Sequence, residues 1–107
     1  EDDVWSHRQL SNIVSHTEIE REKLGDILKY CDFVDTTREY ISPPDNVFTW
    51  WSYRSSNFLV NNRGRRLDHI WINNPKKIEL KGAKIFNKYR ELKKPSDHVP
   101  VSFEIKV

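Results

Sequence analysis

The sequence has little of what staples a small protein or anchors it in a membrane. Cys31 is its one cysteine, which excludes an internal disulfide and a cysteine-based zinc site. No apolar run approaches the ~20 residues that a transmembrane helix needs. No basic and apolar leader opens the chain. We therefore expect a cytoplasmic protein that has no membrane partner.

The length and the composition fit one small domain over residues 1–107. Hydrophobic residues make up 36% of the chain and charged residues 32%, so it can bury a core with little margin. Five Phe, four Tyr and four Trp make that core strongly aromatic.

The net charge of +2 hides an uneven distribution of charged residues. Residues 1–53 carry eleven acidic and five basic side chains, whereas residues 54–94 carry twelve basic and three acidic ones. A polyanion partner requires such a basic segment, although a solvated lysine-rich surface explains the lysines equally well. The arginines lie among aromatic residues and asparagines and favour nucleic acid as the partner: Arg54, Arg63, Arg65 and Arg66.

The first forty residues read as helical. Thr17 and Glu20 have the spacing of a capping box, which predicts a helix that begins near Thr17. Its apolar positions 24, 27, 28 and 31 form one stripe, which predicts that Cys31 is buried. A short helical turn is expected within residues 1–16. His7 and His16 lie in this segment without other residues that would form a metal site with them. A second short helix, capped by residue 35 or 36, should end near Tyr40.

The remaining sequence predicts four strands. They span residues 47–54, 65–73, 83–89 and 99–107, and the last alternates apolar and polar residues most regularly. In the first of them, Phe48 and Trp50 should face one side and Trp51 the other. Loops are expected at 42–46, 55–64 and 91–97, and a short helix or an extended link at 76–82. Helices followed by strands indicate an α/β (α+β) fold with one mostly antiparallel sheet and helices on one face.

Two short motifs carry the candidate chemistry. Asp68-His69 and Asp97-His98 each place a carboxylate beside an imidazole, and each adjoins an apolar run. Carboxylate oxygens suit Mg²⁺, and a histidine held by a carboxylate can act as a positioned acid or base against a phosphate. We therefore expect Asp97 near a metal, His98 towards the phosphate and Asp68 orienting His98. The alternative is that each Asp is an ordinary turn residue before a strand.

Three elements resemble the C-terminal half of the bacterial exodeoxyribonuclease III and abasic-site endonuclease family, within the endonuclease/exonuclease/phosphatase superfamily. They occur in family order and with family spacing, and the resemblance covers essentially the whole chain. The elements are Phe48-Thr49-Trp50-Trp51-Ser52-Tyr53-Arg54, Asn62-Arg63-Gly64-x-Arg66-Leu67-Asp68-His69-Ile70 and Lys94-Pro95-Ser96-Asp97-His98-Val99-Pro100-Val101.

The resemblance implies a four-layer α/β/β/α sandwich and hydrolysis of DNA that depends on Mg²⁺ or Mn²⁺. The implied substrates are duplexes with abasic sites, cut 5′ to the site, and 3′ ends, degraded 3′ to 5′. His98 matches the catalytic histidine, Asp68 the carboxylate that orients it, and Asp97 an aspartate at the metal. Residues implied to contact DNA or the flipped-out abasic sugar are Trp50, Leu67, Asn62, Arg54, Arg63 and Tyr53.

The departure from the family is large. Its first half carries a metal-binding glutamate, a catalytic tyrosine and a Gly-Asp-x-Asn motif that positions the attacking water, and this chain has none of them. Gly25-Asp26 lies inside the expected helix and is no substitute. We therefore expect an isolated chain that is inactive or nearly so, with an uncovered sheet face that self-association could cover. The alternatives are a non-catalytic DNA-binding remnant and a superfamily phosphatase.

Overall fold

The computed structural model of the chain describes residues 1–54, 58–73 and 79–106. Four helices and four strands lie in these ranges, with a 3-10 helix between the last two strands. In chain order they are α1 (His7–Leu10), α2 (Glu18–Tyr30), β1 (Val34–Asp35), α3 (Thr36–Tyr40), α4 (Phe58–Asn61), β2 (Trp71–Ile72), β3 (Glu79–Ile85), the 3-10 helix (Asn87–Glu91) and β4 (Val101–Lys106).

The longest helix, α2, begins as the capping box predicted. The hydroxyl of Thr17 accepts from the backbone N–H of Glu20, and the Glu20 carboxylate accepts from the backbone N–H of Thr17 at 3.0 Å. The prediction for Cys31 was wrong, because this residue is the C-cap of the helix and is exposed. No residue of α2 is fully buried. Two residues of its apolar stripe, Leu24 and Ile27, line a cavity of about 420 Å³ and are 38% and 44% exposed.

The shorter helices agree with the sequence in two cases out of three. Helix α1 is the expected turn within residues 1–16, and α3 ends at Tyr40 with Asp35 as its N-cap. Helix α4 was not expected, since residues 55–64 were predicted to form a loop. Within the described residues 42–46, the backbone N–H of Asp45 donates to the carbonyl of Ser42, which confirms the turn there.

The strands pair as two antiparallel two-stranded sheets, which confirms the mixed helical and antiparallel character but not a single continuous sheet. Strand β1 pairs with β2, and β3 pairs with β4 over the register from Glu79 opposite Lys106 to Ile85 opposite Val101. Strand β4 confirms the most regular sequence pattern. Strand β3 is shifted from the predicted 83–89 and ends at Ile85, since the chain enters the 3-10 helix at Asn87. The expected link at 76–82 lies partly outside the described residues, and its end belongs to β3.

The predicted strand over residues 47–54 is instead irregular: single bridges hold Trp50, and residues 53 and 54 lie in a turn. Trp50 pairs antiparallel with Arg65 on one side and with His98 on the other. The backbone N–H groups of Thr49 and Trp50 both donate to the one carbonyl of Arg65, at 2.9 and 3.0 Å. Two residues facing one is the pattern of a β-bulge, which interrupts a regular ladder. The predicted strand 65–73 is correspondingly reduced to β2.

The bulge also corrects the predicted facing of the aromatic residues. Phe48 and Trp51, expected on opposite sides, pack edge to face with ring centroids 6.3 Å apart and form the buried cluster together with Val99. A Cβ at Gly64 would lie 2.6 Å from the Phe48 side chain, so only glycine allows this approach. The described residues include no helix long and apolar enough to cross a membrane.

Candidate active site

The two acidic motifs meet in space through His98 and Asp68. Nδ1 of His98 lies 2.7 Å from Oδ2 of Asp68, a hydrogen-bonding distance, and the two side chains are 45% and 42% exposed. A carboxylate acceptor at Nδ1 favours the imidazole tautomer that carries its proton there, because Nδ1 must then be the donor. Nε2 is left as the nitrogen that can exchange a proton with a substrate. Both groups are accessible enough to meet a polymeric substrate.

The neighbouring carboxylate of Asp97 is held from a different direction. Oδ2 of Asp97 accepts from the indole N–H of Trp50 at 3.0 Å. The face of the same indole lies under the Arg65 guanidinium, 5.3 Å from the ring centroid. The backbone of residues 97–99 is fixed on residues 49–51, since the N–H of Trp51 donates to the carbonyl of Asp97. Asp97 and His98 therefore have different partners.

Arg66 corrects the view of the basic segment as a surface for polyanions. Its side chain is 1% exposed, and both terminal nitrogens of its guanidinium donate hydrogen bonds to the Asp35 carboxylate. Asp3 adds an ion pair at 3.5 Å. Burial on its own would raise the pKa of the Asp35 carboxyl, but the hydrogen bonds and the charge of Arg66 outweigh it and lower that pKa. Arg66 is therefore a structural residue.

The residues expected to contact DNA are mostly exposed. Tyr53 is 64% exposed, donates its hydroxyl proton to the Pro95 carbonyl and lies under the Arg90 guanidinium. Arg54 and Arg63 are exposed as well, and the Arg63 guanidinium lies 4.7 Å from the centroid of the Trp5 ring.

Two of the expected contact residues have internal roles. The side-chain oxygen of Asn62 accepts from the indole N–H of Trp51 at 3.0 Å, so this oxygen supports the core. Leu67 lines the cavity beneath α2 together with Arg66 and His69. Trp50 is not among the residues that line this cavity, so the cavity beneath α2 is not the pocket expected from Trp50 and Leu67 together.

A groove of about 450 Å³ opens beside the His98 side chain. Its lining residues include Lys93, Lys94 and Tyr89 as well as His98 itself. Tyr89 is 53% exposed. An aromatic ring with two ammonium groups next to the candidate catalytic histidine matches the chemistry of a nucleic acid strand, which offers a base and phosphates.

The sequence and the fold both match known nucleases. No protein-family model matches the sequence. It is 35% identical over 72 residues to exodeoxyribonuclease III of Haemophilus influenzae, a match that covers 67% of this chain and 27% of that protein. The structure matches an AP endonuclease from Archaeoglobus fulgidus with a TM-score of 0.88 and 31% identity, over 99% of this chain and 40% of that one.

A third match is the 3′ phosphatase NExo from Neisseria, bound to a product DNA hairpin. Its TM-score is 0.85 at 26% identity, over 100% of this chain and 40% of that one. The chain is therefore similar to exodeoxyribonuclease III and to an AP endonuclease. It spans 27% of the Haemophilus exodeoxyribonuclease III and 40% of the Archaeoglobus AP endonuclease, so it corresponds to less than half of either relative.

Among the described site residues, Asp97 could supply one ligand of a metal site. Asp97 has a carboxylate oxygen beyond the one that accepts from Trp50, and oxygen is the donor that Mg²⁺ prefers. Among the described residues no group of three His, Cys, Asp or Glu side chains could hold a metal ion. The remaining ligands would have to come from outside the described residues, from substrate phosphate or from water.

Sequence reasoning missed the residue that connects the two motifs. Thr49 is 1% exposed, and its hydroxyl accepts from the backbone N–H groups of Leu67 and Asp68, both at 3.1 Å. The signal was a polar residue between Phe48 and Trp50 in an otherwise aromatic stretch. A buried hydroxyl needs partners, and these partners turn out to belong to the other motif.

Proposed function

We propose that this chain is part of a DNA-repair nuclease that hydrolyses phosphodiester bonds with the help of Mg²⁺ or Mn²⁺. The substrates would be duplexes with abasic sites, cut 5′ to the site, and 3′ ends, degraded 3′ to 5′. The observation that carries the proposal is the His98–Asp68 pair, which adjoins Asp97 in a chain similar to exodeoxyribonuclease III. The isolated chain is proposed to be inactive or nearly so.

We propose a role for each residue, and the geometry of the site supports these roles. Asp68 accepts the Nδ1 proton of His98 and thereby sets the orientation of the ring. Nε2 of protonated His98 donates to a phosphoryl oxygen, where negative charge grows during hydrolysis. Asp97 would supply one oxygen ligand to the metal, and a bound divalent metal would neutralise part of the phosphate charge. No described residue is assigned to activate the attacking water.

The proposed partner is double-stranded DNA. The groove beside His98, with Lys93 and Lys94, supports it together with the exposed Tyr53 and Arg54, because these residues combine aromatic surface with positive charge. Cytoplasmic location and self-association stay predictions, and the second would be tested by sedimentation, where a stable monomer counts against it.

The test compares the purified chain with a fusion in which the N-terminal part of the Archaeoglobus relative precedes Glu1. In Mg²⁺, the fusion should incise a duplex 5′ to an abasic site and shorten a recessed 3′ end, and the chain alone should not. Robust cleavage by the chain alone would contradict the proposed inactivity. A fusion that folds and binds DNA but cleaves none of these substrates would refute the nuclease proposal.

Removal of a 3′ phosphate is the second candidate activity, because a similar structure is that of a 3′ phosphatase bound to a DNA hairpin. A substrate panel separates the candidates: an abasic duplex, a recessed 3′ end and a 3′-phosphate end. If the chain is instead a DNA-binding remnant, DNA binding should be salt-sensitive. His98→Ala should then leave DNA binding unchanged, and no substrate in the panel should be cleaved.

A further inference from the structure

Thr49 lies between the two motifs that form the candidate site. Its backbone N–H donates to the carbonyl of Arg65, and its carbonyl accepts from the N–H of Val99, both at 2.9 Å. Its side-chain oxygen accepts from the N–H groups of Leu67 and Asp68. One residue therefore holds the backbone next to His98 through its own carbonyl and the backbone of Asp68 through its hydroxyl.

The Thr49 hydroxyl takes the place of strand hydrogen bonds at Leu67 and Asp68. Because the bulge at Thr49 and Trp50 uses the Arg65 carbonyl twice, the ladder does not continue to residues 67 and 68. Two consecutive N–H groups then converge on one buried oxygen, and this fixes the backbone from which the Asp68 carboxylate projects. A valine has the same shape as threonine but no acceptor, so it would leave both N–H groups without this partner.

We propose that the Thr49 hydroxyl is a positioning group that holds the Asp68 carboxylate on Nδ1 of His98. The Thr49 hydroxyl acts on the site through Asp68 and not on the substrate. The catalytic meaning of this role rests on the proposed function, but the role itself is a property of the folded chain. It is therefore tested by measurements that need no activity.

The first measurement is NMR of the His98 ring nitrogens in the 107-residue chain. In the wild type, the neutral ring should carry its proton on Nδ1. Thr49→Val should move the ring signals towards those of Asp68→Asn, and Thr49→Ser, which keeps the oxygen, should restore the wild-type signals. The double variant Thr49→Val/Asp68→Asn should match Asp68→Asn alone, because the Thr49 hydroxyl acts on the ring only through the carboxylate.

Thr36→Val is the matched control. Thr36 is 0% exposed, and its hydroxyl donates to the Ile70 carbonyl at 2.6 Å, so the change also removes a buried hydroxyl with a backbone partner. It should lower stability without moving the His98 signals. If Thr49→Val leaves these signals at their wild-type positions while Asp68→Asn moves them, the proposal is overturned.

Hydrogen exchange in the wild type covers the case in which Thr49→Val does not fold. The amides of Leu67 and Asp68 should exchange more slowly than unprotected peptide, since both donate to a buried oxygen. Exchange of both at the unprotected rate would overturn the proposal. A fusion without nuclease activity would refute the proposed function and leave these NMR and exchange results as they stand.

Discussion

Nδ1 of His98 lies 2.7 Å from Oδ2 of Asp68, although thirty positions of sequence separate the two residues. This pair makes a prediction for the fusion described above. His98→Ala should lower the rate of abasic-site incision by about 10²–10⁴, the contribution of a positioned acid or base. Asp68→Asn should lower it less, because the ring remains but loses its orientation.

The control for this prediction is His7→Asn, which changes a histidine outside the site. It should leave the incision rate unchanged. An incision rate that His98→Ala alters by less than threefold would show that His98 has no role in the chemistry.

The hydrogen bond from the indole N–H of Trp50 to Asp97 is the basis of a second prediction. Trp50→Phe keeps a ring but loses the donor, which should lower the free energy of unfolding by about 1–2 kcal/mol beyond any packing loss. Asp97→Asn alone should also weaken the bond. Urea denaturation of both single variants and of the double variant gives the coupling between them. A coupling free energy near zero would mean that the bond contributes nothing.

The buried guanidinium of Arg66 makes a prediction about stability. Arg66→Met would leave the Asp35 carboxylate, itself only 20% exposed, without its partner. We expect the free energy of unfolding to fall by about 3 kcal/mol, as when one member of a buried ion pair is removed. Arg8→Met, at an exposed arginine of α1, is the matched control and should change it by less than about 0.5 kcal/mol. Equal stabilities of the two variants in urea denaturation would contradict this view of Arg66.

Two histidines make stability depend on pH. Burial, and next the charge of Arg66, lower the pKa of His69 from its ordinary value of 6.5. Burial, and next the charge of Arg21, lower the pKa of His16 in the same way. Below 6.5 the unfolded chain binds protons that the folded chain does not, so this stability is complete above 6.5 and is lost as the pH falls towards the folded values.

Urea denaturation at about pH 7.5 and at about pH 5.5 measures this effect. The wild type should be less stable at the lower pH, and His69→Gln should lose part of that difference. Asp35, whose pKa is lowered from 3.8, adds its own loss only in more acidic solution. Equal wild-type stability at the two values would rule out a contribution from the histidines.

The groove beside His98 makes a prediction about DNA binding. Lys93→Gln/Lys94→Gln should weaken binding of a duplex and reduce the slope of log K against log salt by about 1 for each phosphate that the variant no longer neutralises. Fluorescence anisotropy at several salt concentrations measures both. Lys23→Gln/Lys29→Gln on α2 removes the same charge and should change the slope less. Equal effects of the two pairs would indicate a non-specific charge effect.

Local sequence signals were sufficient where the structure depends on near neighbours. The capping box of Thr17 and Glu20 could be read from adjacent residues, and so could the alternation in β4, and both predictions hold. The resemblance to exodeoxyribonuclease III matched Asp68 to the residue that orients His98, and the two side chains do meet. A family motif can predict contacts between residues that are distant in sequence, which secondary-structure propensity cannot do.

The errors arose where distant segments decide the outcome. Nothing near Cys31 shows that α2 lies over a cavity and leaves its apolar stripe half covered. The sequence alone suggests that Arg66 is a surface cation. In the structure it is buried and forms ion pairs with Asp35 and Asp3, which lie far from it in the sequence. Burial of a charge depends on its partners, and these come from residues far away in the sequence.

The sequence by itself determined the residue types of the site, namely two carboxylates, a histidine and a basic and aromatic surround. The tertiary structure decided how they are held. The bulge at Thr49 and Trp50 places a hydroxyl under Asp68 and an indole N–H on Asp97. The bulge forms because one carbonyl, that of Arg65, accepts two N–H groups. This arrangement requires the segments around Arg65 and His98 to pack on the two sides of Trp50, which only the tertiary structure provides.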